Sequence, residues 1–325
     1  MGRVALDTRN GLDAEREAVI AVLRNERADG RGSVSLRPVT GQSLTGSSPK
    51  MIGIDRSGQR FLFKPVRANS FAYEREVAAR SIRELAKQPT VAVLKAKMTL
   101  DDGTVVHGYA KPMVGTRGDL ENDPRDWNAA QIHCVLQDAA FAELLGNYDT
   151  RPGQYITPVD AKTGAVLALN VDWDRTFSEY AKNSELSRFK RHFVAPPAAS
   201  LLYAQYVRGA PVDFSALWDA IDRIDRVKES DYAKAVNGFA KVAFPDSDAR
   251  KVFVAFAMER KRTLRHQFKE AIAALDEERA SGVSRVNQLR DLEFQGSARF
   301  ADSPAYRQIM AVRRKVSHRI PNFGG

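Results

Sequence analysis

The spacing of apolar residues changes twice along the chain. Between residues 10 and 27 the apolar positions share one helical face, which predicts an amphipathic helix. From residue 33 to residue 113, short apolar segments alternate with turns that contain glycine or proline, a pattern typical of strands. From residue 128 to about residue 275 the apolar residues recur mainly at helical intervals. The sequence therefore predicts a β-rich part followed by a helical part.

The β-rich part contains five segments with the pattern of strands. They are Ser33–Arg37, Met51–Asp55, Arg60–Val66, Val91–Leu100 and Thr104–Met113. Asp101-Asp-Gly103 predicts a hairpin turn between the last two. A helix with Ser70 as its N-cap, ending near Lys87 and before Pro89, separates the third strand from the fourth.

The helical part begins with a region that mixes a helix, loops and a short hairpin. The expected elements are a helix at Asn128–Leu145, a polar loop at Gly146–Tyr155, a hairpin of Ile156–Pro158 with Val166–Val171, and a long surface segment at Asp172–Pro197. Further helices are expected from Ala198 onward.

The composition is that of an ordinary globular protein, with 43% hydrophobic and 28% charged residues among 325. Cys134 is the only cysteine, which excludes a disulfide scaffold.

Lys and Arg number 50 against 40 Asp and Glu, a net charge of +10. This excess favours acidic partners such as nucleotides, nucleic acid or phospholipid headgroups, although it also serves solubility alone. The basic tail between Arg299 and Arg319 is the part best suited to contact an anionic surface, with a solvated tail as the alternative.

The sequence also bears on location. It has no apolar run as long as a transmembrane helix requires, and its first residues have neither a signal-peptide pattern nor a myristoylation motif. We therefore expect a cytoplasmic protein without a transmembrane segment, with secretion by a route that needs no signal peptide left open.

A turn rich in glycine and serine, Gly41–Ser48, is the first candidate for phosphate binding. It has the outline of a Walker A loop, but Ser47 stands where that loop needs a lysine, so we reject this motif. A loop of this composition between two antiparallel strands can still direct its backbone N–H groups and hydroxyls at a nucleotide's phosphates. Gly46, Ser47 and Ser48 are the residues concerned, with an ordinary hairpin turn as the alternative.

Lys64 lies within an apolar strand, Phe61-Leu-Phe-Lys64-Pro-Val66. An ammonium group in such surroundings needs an anionic partner, unless the lysine is at a strand edge and points into solvent. Glu74 and Glu76 lie on the helix that follows and are the candidate partners. A strand lysine paired to a helix glutamate near nucleotide phosphates is the arrangement found in kinases.

The second group of candidates is a set of oxygen-bearing side chains: Asp149, Gln154, Asp172 and Asp174. Phosphoryl transfer needs a carboxylate that positions or deprotonates the acceptor, together with an amide and a carboxylate that hold Mg²⁺. The spacing D-x-x-x-x-Q, with a short hairpin before Asp172, suits a catalytic loop followed by a metal-binding aspartate.

Taken in order, these motifs resemble the atypical kinase fold of the phosphatidylinositol 3-/4-kinase-like and HipA-type enzymes. The motifs are GSS, FLFKP, YEREVAARSIREL, LLGNYDTRPGQYI and NVDWDRTF, and the resemblance covers roughly residues 33–180. It implies an α+β bilobed fold: an N-terminal helical extension at 1–32, a small antiparallel β-rich N-lobe with one main helix at 33–114, and a mostly helical C-lobe at 115–325.

The resemblance also implies roles for individual residues. Lys64 would hold the α- and β-phosphates of ATP, Glu76 (or Glu74) would orient Lys64, Asp149 would be the catalytic aspartate, Asp172 the main Mg²⁺ ligand with Gln154 and Asp174 assisting, and Val114 would lie in the hinge under the adenine. Two departures from the family pattern stand out. Gln154 replaces the usual Asn, and Asn147-Tyr148-Asp149 replaces His-Arg-Asp.

The leading hypothesis is an ATP- and Mg²⁺-dependent phosphotransferase. Its acceptor would be a hydroxyl of a protein Ser or Thr, which we favour slightly, or of a phosphoinositide-like headgroup. Gln154 keeps a nucleotide-binding pseudokinase scaffold open as an alternative. A basic protein that binds nucleic acid or membrane surfaces is the third possibility, and the salt dependence of its binding would reveal it.

Overall fold

The computed structural model describes residues 33–39, 50–66, 71–147, 149–160, 163–177 and 197–281. Four predicted features therefore lie wholly or largely outside the described residues: the helix at 10–27, the turn at Gly41–Ser48 with Gly46, Ser47 and Ser48, the surface segment at Asp172–Pro197 between residues 178 and 196, and the basic tail beyond residue 281.

Five strands form a closed barrel in the order β1-β2-β3-β5-β4. Their bounds are Ser33–Pro38 for β1, Met51–Ile54 for β2, Arg60–Pro65 for β3, Leu94–Thr99 for β4 and Val105–Pro112 for β5. All pairings are antiparallel except that of β1 with β4, which is parallel and closes the barrel. The wholly antiparallel sheet that we expected is therefore wrong in this one pairing. Val91–Val93, predicted as the start of the fourth strand, precedes β4 without being part of it.

Alternation along the strands separates the two faces of the barrel. The interior is filled by Leu36, Phe61, Phe63, Ala96, Met98 and Ala110. Because successive side chains of a strand point to opposite faces, Lys64 on β3 and the paired Tyr109 on β5 lie on the outer face. Lys111 on β5, which pairs with Leu62, shares that face. The barrel thus directs two lysines from neighbouring strands toward the same side.

Gly108 on β5 allows the close approach of β3. A Cβ atom at this position would lie 2.2 Å from the backbone oxygen of Lys64 and within 3 Å of the Phe63 ring. We expect Gly108→Ala to lower the free energy of unfolding by about 1–3 kcal/mol, because β3 must shift to relieve the contact. Denaturant unfolding measures this loss. Gly115→Ala is the control, since among the described residues other than its chain neighbours no heavy atom lies within 4 Å of a Cβ there. Equal effects of the two substitutions would contradict the contact.

The first helix, α1, spans Ala72–Leu85, two residues shorter at its end than predicted. Phe71 rather than Ser70 is its N-cap residue, and no side chain caps the helix, so the predicted cap is wrong. Its buried face includes Ala78, Ala79 and Ile82, which pack into the core of the helical part rather than into the barrel. This helix therefore joins the barrel to the helices that follow.

The helical part contains α2 at Ala129–Leu145, α3 at Pro197–Val207, α4 at Ser215–Arg226, α5 at Glu229–Ala243 and α6 at Ser247–Ser281. Asn128 and Gln131 form a capping box at the start of α2, and Gly146 ends it in the left-handed conformation. The mixed α+β class predicted from the sequence is confirmed. No helix in the described part of the chain is long and apolar enough to cross a membrane.

A two-stranded sheet follows α2. Its strands, β6 at Tyr155–Ile156 and β7 at Leu169–Asn170, are shorter than the predicted hairpin segments. Tyr155 pairs with Asn170, and the backbone N–H of Val171 donates to the carbonyl oxygen of Gln154 over 3.1 Å. This small sheet brings the loop after α2 beside the residues that precede Asp172.

Candidate functional site

Lys64 and two aspartates form an ion cluster between the barrel and the helical part. The Lys64 ammonium donates to both carboxylate oxygens of Asp172, each 2.8 Å away, and to Asp174 Oδ2 at 3.2 Å. The lysine side chain is only 7% exposed, whereas those of Asp172 and Asp174 are 18% and 21% exposed. The structure thus brings together three of the residues selected from the sequence, and the two carboxylates retain access to solvent.

The charges in this cluster stabilise one another. Burial alone would lower the pKa of Lys64, but Asp172, Asp174 and Glu76 outweigh it and raise that pKa above its ordinary value. Burial would likewise raise the pKa of Asp172, but Lys64 and Lys111 hold it below the usual 3.8. At neutral pH the cluster therefore contains a charged lysine and an ionised Asp172.

Glu76 pairs with Lys111 rather than with Lys64. Its Oε1 atom accepts hydrogen bonds from the Lys111 ammonium and from the backbone N–H of Trp173, the latter over 3.2 Å. Both side chains of the ion pair are almost fully buried. Burial raises the pKa of Glu76 to about 7 despite the nearby ammonium of Lys111. The direct orientation of Lys64 by Glu76, expected from the sequence, is corrected here: Lys111 on the adjacent strand takes that position.

The backbone from Val171 to Asp174, called the Asp172 segment below, is held from several sides. Lys111 donates to the carbonyl oxygen of Val171, and Arg75 of α1 donates to that of Asp174 over 3.5 Å. The N–H of Asp172 donates to Asn170 Oδ1 over 2.9 Å. With the bond from Trp173 N–H to Glu76, these contacts satisfy groups that would be costly to bury unpaired. The position of Asp172 is therefore set by groups on α1, β5 and β7.

The loop after α2 approaches the cluster through Asn147. Its side-chain amide donates to the carbonyl oxygen of Asp172 over 3.3 Å, and its own Oδ1 atom accepts from the N–H of Asp149 over 3.3 Å. Asp149 forms an ion pair of 3.0 Å with Arg151, and the Asp149 side chain is 37% exposed. Asp149 is thus tied to the Asp172 segment by one side chain, while its carboxylate is open to an incoming molecule.

Gln154 has an amide oxygen that is buried and makes no hydrogen bond with any described residue. An unpaired buried acceptor is costly, and a metal ion or a water molecule is the usual reason for one. The backbone of Gln154 adjoins Val171, so the side chain belongs to the same region as the two aspartates. Carboxylate and amide oxygens are the ligands that Mg²⁺ prefers. Within the described residues no three His, Cys, Asp or Glu side chains form a metal cluster, so Gln154 would have to complete the set.

Trp173 packs against a buried ion pair that the sequence analysis did not identify. The Arg83 guanidinium lies 4.2 Å from the centre of a Trp173 ring and donates to Asp138 Oδ1 over 2.9 Å. Gln88 also donates to Asp138, and its own amide oxygen accepts from Arg223 of α4. These contacts connect α1, α2 and α4 behind the Asp172 segment.

The remaining predicted site residues are not part of the ion cluster of Lys64, Asp172 and Asp174. Val114 is half-buried in the connection that follows β5, and its role under the adenine stays a prediction. Glu74, the alternative partner of Lys64, forms no ion pair within the described part of the chain, where Lys64 pairs with Asp172 and Asp174. Gly46, Ser47 and Ser48 lie outside the described residues.

No family model matches the chain, and no curated protein matches it. Among solved structures, the chain is similar to the Helicobacter pylori proinflammatory kinase CtkA at 9% identity and a TM-score of 0.42, over 71% of this chain and 94% of that one. It is similar to the Golgi casein kinase at 9% identity and a TM-score of 0.42, over 76% of this chain and 75% of that one. The same kinase with Mn and ADP bound gives 7% identity and a TM-score of 0.35, over 92% and 75% of the two chains. Likenesses this distant do not by themselves establish an activity.

Proposed function

We propose that this protein is an ATP- and Mg²⁺-dependent phosphotransferase with a kinase-like, bilobed arrangement. Its lobes would be residues 33–114 and 115–325, with α1 packed at their boundary. The observation that carries the proposal is the contact of Lys64 with both Asp172 and Asp174, beside the loop that bears Asp149. A buried cation next to two partly accessible carboxylates supplies both charges that a metal–nucleotide complex requires.

The residues present fit such a complex. Asp172, Asp174 and the unpaired amide oxygen of Gln154 would hold Mg²⁺, an ion that prefers oxygen ligands. Lys64 would bind the phosphates, aided by the backbone N–H groups of Gly46, Ser47 and Ser48 and by the hydroxyls of the two serines. The bound ion would supply neutralisation of phosphate charge.

Asp149 would orient the acceptor hydroxyl and accept its proton. Its carboxylate is partly exposed and is linked through Asn147 to the backbone of Asp172, which fixes the loop relative to the proposed metal ligands. A hydroxyl of a protein Ser or Thr, or of an inositol-type headgroup, is the acceptor class proposed. The test is transfer of labelled γ-phosphate to an unfolded Ser/Thr-rich protein and to vesicles containing phosphatidylinositol. Absence of transfer and of ATP hydrolysis, with ATP still bound, would favour the pseudokinase scaffold.

A basic surface for nucleic acid or membrane receives less support from the described residues. The basic stretch at 259–269 lies on α6, where Arg262 pairs with Glu229 over 2.8 Å and Arg265 pairs with Asp222 and Asp225. These carboxylates belong to α4 and α5, so much of the positive charge of α6 is compensated within the fold.

Lys64→Met is expected to strengthen the binding of a metal ion to the cluster and to weaken the binding of ATP. Lys64 occupies the oxygens that Mg²⁺ would use, so its removal is expected to tighten nucleotide-free Mn²⁺ binding by about tenfold, or about 1.4 kcal/mol. The expected gain of about 1.4 kcal/mol in metal-binding free energy is well below the Coulomb energy of about 4 kcal/mol for unit charges 4 Å apart near a protein surface. ATP binding should weaken in the same variant. Calorimetric titrations measure both affinities, and Lys97→Met on the exposed part of β4 is the control. Weaker Mn²⁺ binding in Lys64→Met would contradict the shared use of these oxygens.

A further inference from the structure

Lys111 is a second buried lysine beside the proposed active site, and nothing in the resemblance assigns it a role. Its side chain is 4% exposed, and it lies on β5 two residues beyond Tyr109, the residue that pairs with Lys64, on the same face of the barrel. An ammonium group buried to this extent requires strong partners. The two acceptors that the structure provides are Glu76 on α1 and the carbonyl oxygen of Val171.

Lys111 and Glu76 hold the backbone on both sides of Asp172. Lys111 binds the carbonyl of Val171, the residue before Asp172, and Glu76 binds the N–H of Trp173, the residue after it. Because Lys111 also binds Glu76, the three groups form a continuous bridge from β5 through α1 to the segment. Asp172 is fixed at both neighbouring peptide groups, independently of the contact between its carboxylate and Lys64.

The two lysines contact different groups of the same segment. Lys64 contacts the carboxylates of Asp172 and Asp174 and must leave them if a metal ion is to bind there. The hydrogen bonds of Lys111 to described residues go to the carbonyl oxygen of Val171 and to Glu76, so Lys111 can stay in place whether or not a metal ion binds the carboxylates of Asp172 and Asp174. Groups that orient metal ligands without touching the metal commonly alter metal affinity by about 10–100-fold when removed.

We propose that Lys111 is a positioning residue, which acts with Glu76 to hold Asp172 in the orientation needed for the metal ion. This proposal rests on the function proposed above. The proposal makes a selective prediction. Loss of Lys111 weakens the binding of ATP that depends on Mg²⁺ and leaves the binding of metal-free ATP unchanged.

The test measures how far ATP raises the melting temperature as Mg²⁺ is added, and takes the Mg²⁺ concentration that gives half of the full rise. The rise produced by ATP in the presence of EDTA measures metal-free binding. Lys111→Met is expected to raise the required Mg²⁺ concentration by about tenfold and to leave the response to metal-free ATP unchanged. Lys111→Met/Glu76→Gln removes the buried charges together and so keeps the test valid if the single variant fails to fold. In this double variant a glutamine oxygen can still accept from Trp173, whereas the bond to Val171 is lost, so the Mg²⁺ requirement is again expected to rise.

The matched control is Arg260→Met, which breaks another buried ion pair, between α6 and Glu143 of α2, without touching the Asp172 segment. An equal rise of the Mg²⁺ requirement in this control would overturn the proposal, because destabilisation alone would then explain the effect. An unchanged Mg²⁺ requirement in the double variant would also overturn it.

A spectroscopic measurement separates this proposal from the proposed function. With Trp127 and Trp218 replaced by Phe, Trp173 is the single tryptophan and reports on the segment that Lys111 holds. Lys111→Met is expected to shift its emission to longer wavelength and to increase its quenching by acrylamide. If wild-type protein does not respond to ATP, the proposed function fails, while this shift would still support the positioning of the segment. An unchanged Trp173 signal would refute the positioning whether or not ATP binds.

Discussion

Asp172→Asn is expected to lower the rate of phosphoryl transfer by at least about 10²–10³-fold. Asn has nearly the same shape as Asp but lacks the negative charge, so the variant keeps the size of the side chain and loses the strongest proposed metal ligand. Lys64 would retain Asp174 as its partner, and the backbone bonds of the segment do not depend on the carboxylate. We therefore expect the substitution to affect turnover much more than folding.

Initial rates of ADP formation, at saturating and at limiting Mg²⁺, measure this effect. Asp101→Asn in the exposed turn between β4 and β5 is the control, since it removes an equal charge away from the cluster. A variant Asp172→Asn that turns over at the wild-type rate would remove Asp172 from the mechanism, and with it the reason for placing the metal ion at this segment.

Arg83→Met is expected to lower the free energy of unfolding by about 3–5 kcal/mol. Arg83 is 1% exposed and donates to Asp138, which is 2% exposed, and to the carbonyl oxygen of Pro89 over 2.7 Å. Without the guanidinium, Asp138 would be a buried carboxylate with only the amide of Gln88 as a side-chain donor among the described residues. The stacking of the guanidinium on Trp173 is lost as well. For a chain of 325 residues, a loss of this size corresponds to a fall of roughly 4–7 °C in melting temperature.

Two further variants identify the cause. Arg83→Met/Asp138→Leu should recover most of the lost stability, because apolar side chains that replace both members of a buried pair leave no uncompensated charge. Arg80→Met on the same helix is the control: Arg80 pairs with Glu84 near the surface, and its loss should cost less than about 1 kcal/mol. If the double variant were as unstable as Arg83→Met alone, the buried charge of Asp138 would not be the cause.

The sequence predicted Lys64 for a sound physical reason. A lysine within Phe61-Leu-Phe-Lys64-Pro65 needs an anionic partner, and the structure provides two. The same signal is present at Tyr109-Ala-Lys111-Pro112, where a lysine also ends an apolar strand before proline. The sequence predicted the first lysine as the partner of Glu76, whereas the structure pairs Glu76 with the second, Lys111.

Other features depend on contacts between distant parts of the chain. The parallel pairing of β1 with β4 joins strands about sixty residues apart, and strand periodicity carries no information about it. Arg83 lies in a helix, Tyr73-Glu-Arg-Glu-Val-Ala-Ala-Arg80-Ser-Ile-Arg83, whose arginines look alike in sequence. Only the packing of α1 against α2 and Trp173 makes Arg83 a buried residue while Arg80 stays nearer the surface.

The central claim is that Lys64, Asp172 and Asp174 form a binding site for a metal–nucleotide complex. The most direct measurement is the thermal shift produced by ATP, with and without Mg²⁺, on the wild-type protein and on Asp172→Ala. A ligand that binds only the native state at 100 times its Kd adds about 2.7 kcal/mol of stability. We predict a Mg²⁺-dependent rise in melting temperature for the wild type and its loss in Asp172→Ala. The absence of any shift at millimolar ATP and Mg²⁺, or an equal shift in both proteins, would contradict the claim.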